Sequence, residues 1–134
     1  MDFREYQEQA SFSHKPAKPL TTKQASILDW TLGICDEAGE VAGVIKHHIF
    51  HNEPLDIMKV AKELGDVQWY ISALCEELGI DLGVCAELNI AKLRHRHGSK
   101  YSDETSADRH SNEERFENTT EYQQIKERIA YGAR

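Results

Sequence analysis

Proline is confined to three positions, and that distribution limits the fold more than any other feature. Pro16, Pro19 and Pro54 leave residues 20–53 and 55–134 free of proline. Such stretches permit long helices, because a proline within a helix removes a backbone donor and clashes with the preceding turn. Alternation of apolar and polar residues rich in β-branched side chains is almost absent, so strands are not expected. We therefore predict an all-α domain.

Apolar residues recur at steps of three and four, a spacing typical of helices with one buried face. Helices are predicted over residues 2–12, 21–50, 54–78 and 81–97. Thr21 and Asp81 are suitable N-caps, because their side-chain oxygens can accept a free backbone N–H. Gly79 and Gly98 follow the third and fourth helices, where glycine commonly ends a helix.

The two long helices each carry one apolar stripe, and these stripes are expected to form the core of a four-helix-bundle-like fold. The stripe of the second helix comprises Ile27, Trp30, Ile34, Ala38, Val41 and Ile45. The stripe of the third comprises Ile57, Val60, Ala61, Leu64, Gln68, Ile71, Cys75 and Leu78. Trp69 and Tyr70 lie in the third helix but outside its apolar stripe. We therefore expect these aromatic side chains to be exposed, and exposed aromatic side chains favour a homo-oligomer.

The residues after the fourth helix are mostly polar. We expect an extended arm or loop over 99–120 and a short helix over about 121–130. The chain is accordingly divided into a core at 1–102 and a C-terminal part at 103–134. The composition and length of this part suggest the hypothesis that it, including Arg109, exchanges onto a neighbouring copy and reaches its active site.

Composition narrows the classes of function. A length of 134 residues suits one small domain, and 40% apolar residues suffice for a core. Lys and Arg number 16 against 23 Asp and Glu, and the resulting charge of −7 argues against a nucleic-acid polymer as partner. No apolar run approaches the roughly 20 residues of a membrane span, and the polar N-terminus does not resemble a signal peptide. The three cysteines form no CxxC motif and are interpreted as core residues in a reducing cytoplasm.

Two pairs of acidic residues stand at helical i, i+3 spacing. Glu37 and Glu40 lie in the second predicted helix, and Glu63 and Asp66 in the third. The 22 residues between the pairs suffice to turn and return antiparallel, so the pairs are expected to face each other. At about 100° per residue, Glu37 and Glu63 lie roughly 60–80° from the centre of their stripes, and the other two roughly 120–140°.

Four carboxylates brought together repel one another unless a cation joins them. A hard divalent ion, Mg²⁺ or Mn²⁺, suits such oxygen ligands and in turn attracts polyphosphates. Gly39 and Gly65 lie within the pairs, where each costs a helix about 1 kcal/mol, and this favours close packing beside the acids. The alternative is an ordinary solvated face, because two acids at this spacing are common in helices.

Four stretches resemble the motifs of MazG-like nucleotide pyrophosphohydrolases. They are LGICDEAGEV at 32–41, KELGDVQWY at 62–70, EELGIDL at 76–82 and NIAKLRHR at 89–96. The resemblance covers about residues 25–102 and is strongest to the short, single-domain phage and bacterial members. It implies an all-α fold that assembles as a dimer or tetramer, located in the cytoplasm, or in the host cytoplasm if phage-encoded.

The resemblance implies hydrolysis of a ribo- or deoxynucleoside triphosphate to the monophosphate and pyrophosphate. Some phage relatives of this kind favour dGTP and others act on many nucleotides, and we favour a purine deoxynucleotide such as dGTP as the substrate. The resemblance assigns Glu37, Glu40, Glu63 and Asp66 as catalytic residues and ligands of Mg²⁺, with Mn²⁺ as a substitute. Glu37 is the candidate for activating the attacking water.

The family's substrate contacts carry over onto the fourth helix and the residues after it. Asn89, Lys92 and Arg96 match positions that bind substrate in the family. His97 and Gly98 replace the usual Tyr and Pro, so the pocket wall at Lys100 and Tyr101 is expected to differ. We further hypothesise that a base pocket lies between the second helix and neighbouring subunits, lined by two residues that precede Glu37 in the helix: Trp30 and Ile34.

Several alternatives stay open at this point. A dUTPase-like or dCTPase-like enzyme of the same superfamily shares the metal chemistry and differs in the base. A non-catalytic helical interaction module needs only a solvated acidic face. A di-iron bundle is disfavoured because no histidine has Glu three residues before it. A histidine metal site at His47, His48 and His51 is less favoured than interaction of these side chains with the helix end.

Overall fold

The computed structural model describes residues 1–16, 18–98 and 109–132. These residues form α-helices and one 3₁₀ turn at Ser11–Ser13, and no strand occurs among them. The helices are α1 Phe3–Ala10, α2 Thr22–His51, α3 Ile57–Leu78, α4 Leu82–His97, α5 Arg109–Glu117 and α6 Thr120–Gly132. The prediction of an all-α fold is confirmed. Within the described ranges, no helix is both long and apolar enough to cross a membrane.

The predicted helix starts at Thr21 and Asp81 are confirmed by cap hydrogen bonds. The backbone N–H of Gln24 donates to the Thr21 hydroxyl, and the Gln24 side chain accepts from the Thr21 N–H, so the two form a capping box. The Asp81 carboxylate accepts from the N–H of Val84 at 3.0 Å. Such caps satisfy donors that have no partner within the helix.

The start of α3 lies later than the sequence predicts. Asp56 caps the helix by accepting from the N–H of Lys59 at 2.9 Å, so Ile57 and not Pro54 begins it. The end is where it was predicted, because Gly79 adopts the left-handed conformation with φ of 70°.

Helices α2 and α3 form an antiparallel hairpin. Gly33 of α2 lies against Tyr70 of α3, whereas Glu37, one turn later in α2, lies beside the earlier residue Glu63. The face of α3 that packs on α2 is half-buried, and its members include Val60, Glu63, Val67, Tyr70, Ile71 and Leu74.

Only part of the apolar stripe predicted for α3 packs on α2: Val60, Ile71 and Cys75 are half-buried, and the other members are exposed. Ile57, Leu64 and Leu78 are 63%, 47% and 39% exposed, and they lie about a quarter turn from the half-buried face. That part of the prediction is wrong in orientation, because acidic and aromatic side chains occupy much of the seam. No residue of α2 or α3 is fully buried, so the hairpin leaves a substantial apolar surface uncovered.

The buried core lies elsewhere, among α4, α5 and α6. Val84 and Ala91 of α4 pack with Phe116 of α5 and Ile125 of α6, and all four are at most 7% exposed. Arg128 of α6 also pairs with Glu87 of α4 through two hydrogen bonds. These contacts hold the two C-terminal helices against α4.

The expectation of an extended arm is therefore corrected over residues 109–117, which are helical. This segment is polar except for Phe116, so it shows no apolar periodicity in the sequence, and its helix is stabilised by tertiary packing of that one side chain. The last predicted helix is confirmed as α6. The predicted domain boundary at 102 lies outside the described residues and stays a prediction.

Three aromatic rings cluster where α2 and α3 meet, in edge-to-face and tilted contacts. Trp30 and Trp69 meet edge to face at 5.7 Å between ring centroids, and Trp69 meets Tyr70 at 4.9 Å. The Tyr70 ring lies so close to Gly33 that a β-carbon at this position would overlap it. Packing therefore favours glycine at 33, because any β-carbon there must displace the Tyr70 ring.

Gly33→Ala is expected to destabilise the protein by about 1–3 kcal/mol, because the new methyl group must displace a ring held by two neighbours. Gly39→Ala is the matched control in the same helix, where an added β-carbon meets open space. We expect the control to stabilise by about 1 kcal/mol through helix propensity. Chemical denaturation of both variants measures the difference, and equal stabilisation by both would contradict the packing at Gly33.

Candidate metal centre

Three of the four predicted acids converge on the hairpin seam. Glu37 of α2 and the pair Glu63 and Asp66 of α3 each offer a carboxylate oxygen, and these oxygens lie within 4.8 Å of one another. The i, i+3 spacing aims both α3 side chains the same way, and the antiparallel return brings Glu37 opposite them. No other group of three potential ligands lies this close together in the part of the chain that the structure describes.

The depths of the acids agree with the helical-wheel prediction. Glu37 and Glu63 are half-buried, whereas Glu40 and Asp66 are exposed. The group therefore sits at the edge of the seam, with one side toward protein and the other toward solvent. An ion bound there would keep coordination positions open to substrate and water.

Like charges strain this cluster. The pKa of Glu37 is raised above its ordinary value, first by partial desolvation and then by the charges of four neighbouring carboxylates: Asp66, Glu40, Glu63 and Asp36. A divalent cation would relieve the repulsion, and carboxylate oxygens are the ligands that Mg²⁺ and Mn²⁺ prefer. The donor set therefore fits such an ion.

Glu40 lies one turn further along α2 and is not within the 4.8 Å group. It lines a cleft at the hairpin turn together with His47, Glu53 and Lys59. Its charge still acts on Glu37. Its predicted role as a metal ligand stays a prediction.

The expectation of close packing at Gly39 and Gly65 is wrong for the single chain. A β-carbon at either position would meet no atom within 4 Å among the residues that are described. Both glycines lie beside the acids on the open side of the hairpin. Gly33, which the sequence reasoning did not single out, is the glycine that packs closely.

The predicted substrate residues of α4 lie in a separate helical group. Asn89 is exposed and Lys92 half-buried, and both line a cleft shared with α5 and α6. Arg96 is half-buried, and its Nε has no hydrogen-bond partner among the described residues. None of the clustered acids lines this cleft. Lys100 and Tyr101 lie outside the described residues, as does the side chain of Arg109.

The histidines at the end of α2 stabilise the hairpin turn. His47 Nδ1 lies 2.9 Å from a carboxylate oxygen of Glu53, and His48 Nδ1 lies 2.9 Å from the Glu53 carbonyl. The His47 contact lowers the pKa of Glu53. This arrangement favours the interpretation of these side chains as turn contacts.

Comparison with known proteins identifies the family. The model of the MazG nucleotide pyrophosphohydrolase domain matches residues 25–100, more than half of the chain, so this chain belongs to that family. Gene 37 protein of Mycobacterium phage L5 is similar, with 31% identity over 70 residues. The match covers 49% of this chain and 61% of the relative, so the chain spans less than two thirds of that relative's length. No solved structure shows significant similarity.

We expect metal affinity at this centre to fall on mild acidification. Ligand carboxylates must be ionised to bind Mg²⁺. Because the pKa of Glu37 is raised, protonation begins at a higher pH than for an ordinary glutamate and competes with the metal there. Calorimetric titration with Mn²⁺ at a series of pH values from neutral to about 5 measures this dependence. An affinity that is constant over that range would contradict it.

Proposed function

We propose that this protein hydrolyses nucleoside triphosphates to the monophosphate and pyrophosphate in a divalent-metal-dependent reaction. The observation that carries the proposal is the convergence of Glu37, Glu63 and Asp66 in a chain of the MazG family. The substrate that we favour is a purine deoxynucleotide such as dGTP. The pyrimidine alternative, a dUTPase-like or dCTPase-like activity, uses the same acids and differs in the base pocket.

The acids would hold Mg²⁺, or Mn²⁺ in its place, with Glu40 as the fourth ligand. A bound ion supplies charge neutralisation for the phosphates and Lewis-acid polarisation of a phosphoryl oxygen. Glu37 is the candidate for accepting a proton from the attacking water, because its raised pKa brings it closer to the operating pH of a general base. Attack at the α-phosphorus breaks the α–β anhydride bond, and pyrophosphate leaves.

Asn89, Lys92 and Arg96 would bind the substrate. Lys92 and Arg96 are four residues apart, so both project from one face of α4. Arg96 keeps a donor without a partner in the described part of the chain, and a phosphate oxygen is a strong acceptor for guanidinium. We also propose that Lys100 and Tyr101 contribute to the wall of the substrate pocket.

A homo-oligomer, dimer or tetramer, would complete the site. The hairpin exposes large apolar side chains on both helices, including Leu32 and Trp69 at 57% each. A second copy can cover such a surface. The basic face of α4 and the acids lie in separate helical clusters of one chain, and we propose that assembly brings the acids of a neighbouring hairpin to that face.

The decisive test of the activity is product identification. Each nucleoside triphosphate is incubated with the protein and Mg²⁺, and the products are separated by ion-exchange chromatography. We expect monophosphate and pyrophosphate, with turnover lowered roughly 100-fold or more in Glu63→Ala through loss of a metal ligand. Glu76→Ala, an exposed residue of the same helix, should keep full activity.

The alternatives give different products or none. Release of inorganic phosphate would contradict cleavage at the α–β bond. Absence of turnover for every nucleotide, with metal binding intact, would favour the non-catalytic helical module. Relative rates among nucleotides that turn over identify the base.

Trp30 and Ile34 are proposed to line the base pocket from the α2 side. Both are half-buried on the seam face of α2, before Glu37. Trp30→Ala is expected to change the relative kcat/KM among nucleotides, because stacking on an aromatic ring contributes about 1–3 kcal/mol per base. Phe50→Ala, an exposed aromatic change at the other end of α2, is the control. An unchanged nucleotide preference in Trp30→Ala would refute the assignment.

A further inference from the structure

The C-terminal helices build one wall of a cleft whose other wall carries Asn89 and Lys92. The cleft has a volume of about 390 Å³, within the range of small-molecule pockets. Its α5 and α6 side includes Glu113, Glu117 and Tyr122. These three residues lie beyond the segment that the family model matches, which ends at residue 100. This wall therefore belongs to the part of the chain outside the family motifs.

The aromatic part of the wall is held rigidly. Tyr122 is half-buried and meets Phe116 at 5.3 Å between ring centroids, nearly edge to face. Phe116 is only 2% exposed, and the Tyr122 N–H donates to the Thr119 hydroxyl at 3.1 Å. The Lys126 ammonium lies over one face of the phenol ring, 5.9 Å from its centroid, so a flat heterocycle would stack on the other face.

The acidic part of the wall selects among heterocycles. Glu113 and Glu117 are four residues apart on α5 and project from one face. Ionised carboxylates only accept hydrogen bonds. A base with an exocyclic amino group can donate to them, as adenine, guanine and cytosine do. Uracil and thymine offer one ring N–H flanked by carbonyl oxygens, which carboxylates repel.

The charges also give the cleft a direction. Lys92 lines the cleft from α4, and Arg96, which does not line it, follows one turn later on the same helix and extends the basic surface away from the two carboxylates of α5. A polyphosphate is therefore favoured toward Lys92 and Arg96 and disfavoured beside Glu113 and Glu117. The uncharged end of a nucleotide fits the acidic and aromatic end of the cleft.

We propose that the cleft between α4 and the C-terminal helices is the nucleoside subsite, in which Tyr122 stacks on an amino-bearing base and Glu113 and Glu117 accept its N–H groups. The inference rests on the proposed function, in which Trp30 and Ile34 of a neighbouring copy would line the other side of the base. It makes these three residues determinants of specificity that lie outside the family motifs.

Tyr122→Leu tests the stacking, and Tyr131→Leu, the same change at an exposed site on α6, is the control. Steady-state kinetics are measured with all four dNTPs and dUTP. Inorganic tripolyphosphate, which lacks a nucleoside, serves as a competitive inhibitor. We expect Tyr122→Leu to raise KM for amino-bearing nucleotides roughly tenfold while Ki for tripolyphosphate stays within about twofold. Equal increases in KM and Ki would reveal a general disruption of α4 and refute the stacking role.

The paired change Glu113→Gln, Glu117→Gln tests the selectivity. It keeps the shape of both side chains and adds donors, so the preference for amino-bearing bases over dUTP should fall roughly tenfold. Two outcomes would refute the inference and leave the proposed function standing, provided that the unaltered protein turns nucleotides over. One is an unchanged KM in Tyr122→Leu, and the other is an unchanged base preference in the paired variant. Absence of turnover in the unaltered protein would refute both.

Discussion

Repulsion among carboxylates at the α2–α3 seam is the constraint on which the rest of this structure depends. A helical hairpin ordinarily places apolar side chains along its seam, but here Glu37 and Glu63 occupy half-buried positions there. Partial desolvation and then the charges of the neighbouring carboxylates raise the pKa of Glu37, so ionisation of this cluster is unfavourable in the absence of a cation. A cation that binds the cluster removes this electrostatic cost. A fold that remains stable despite the repulsion among its carboxylates is therefore suited to bind a metal ion.

The acidic seam also explains where the apolar surface lies. Because charged and aromatic side chains fill part of the contact between α2 and α3, several large apolar residues of both helices remain exposed. The fully buried residues are found instead where α5 and α6 cover α4. Besides α1, the described chain thus contains a hairpin that carries Glu37, Glu63 and Asp66 and a small helical cluster that carries Lys92 and Arg96. This separation is the physical basis for proposing that a second copy completes the site.

The C-terminal helices have a role in packing that their composition conceals. Phe116 and Ile125 are among the most buried side chains, although the segment before Phe116 is almost entirely polar. By packing on α4 they fix the face that presents Asn89 and Lys92. The same few contacts therefore determine both the stability of α4 and the shape of the cleft beside it.

The sequence by itself determined most of the helices, the caps at Thr21 and Asp81 and the spacing of the acids within each helix, because helical periodicity, capping residues and i, i+3 spacing act over one or two turns. Only the tertiary structure decided which face of α3 meets α2. Periodicity alone favoured the apolar stripe, whereas the close fit of Tyr70 on Gly33 and the placement of the acids rotate the helix by about a quarter turn. It also decided that residues 109–117 are helical, since one buried ring contributes through long-range packing that no local pattern reveals.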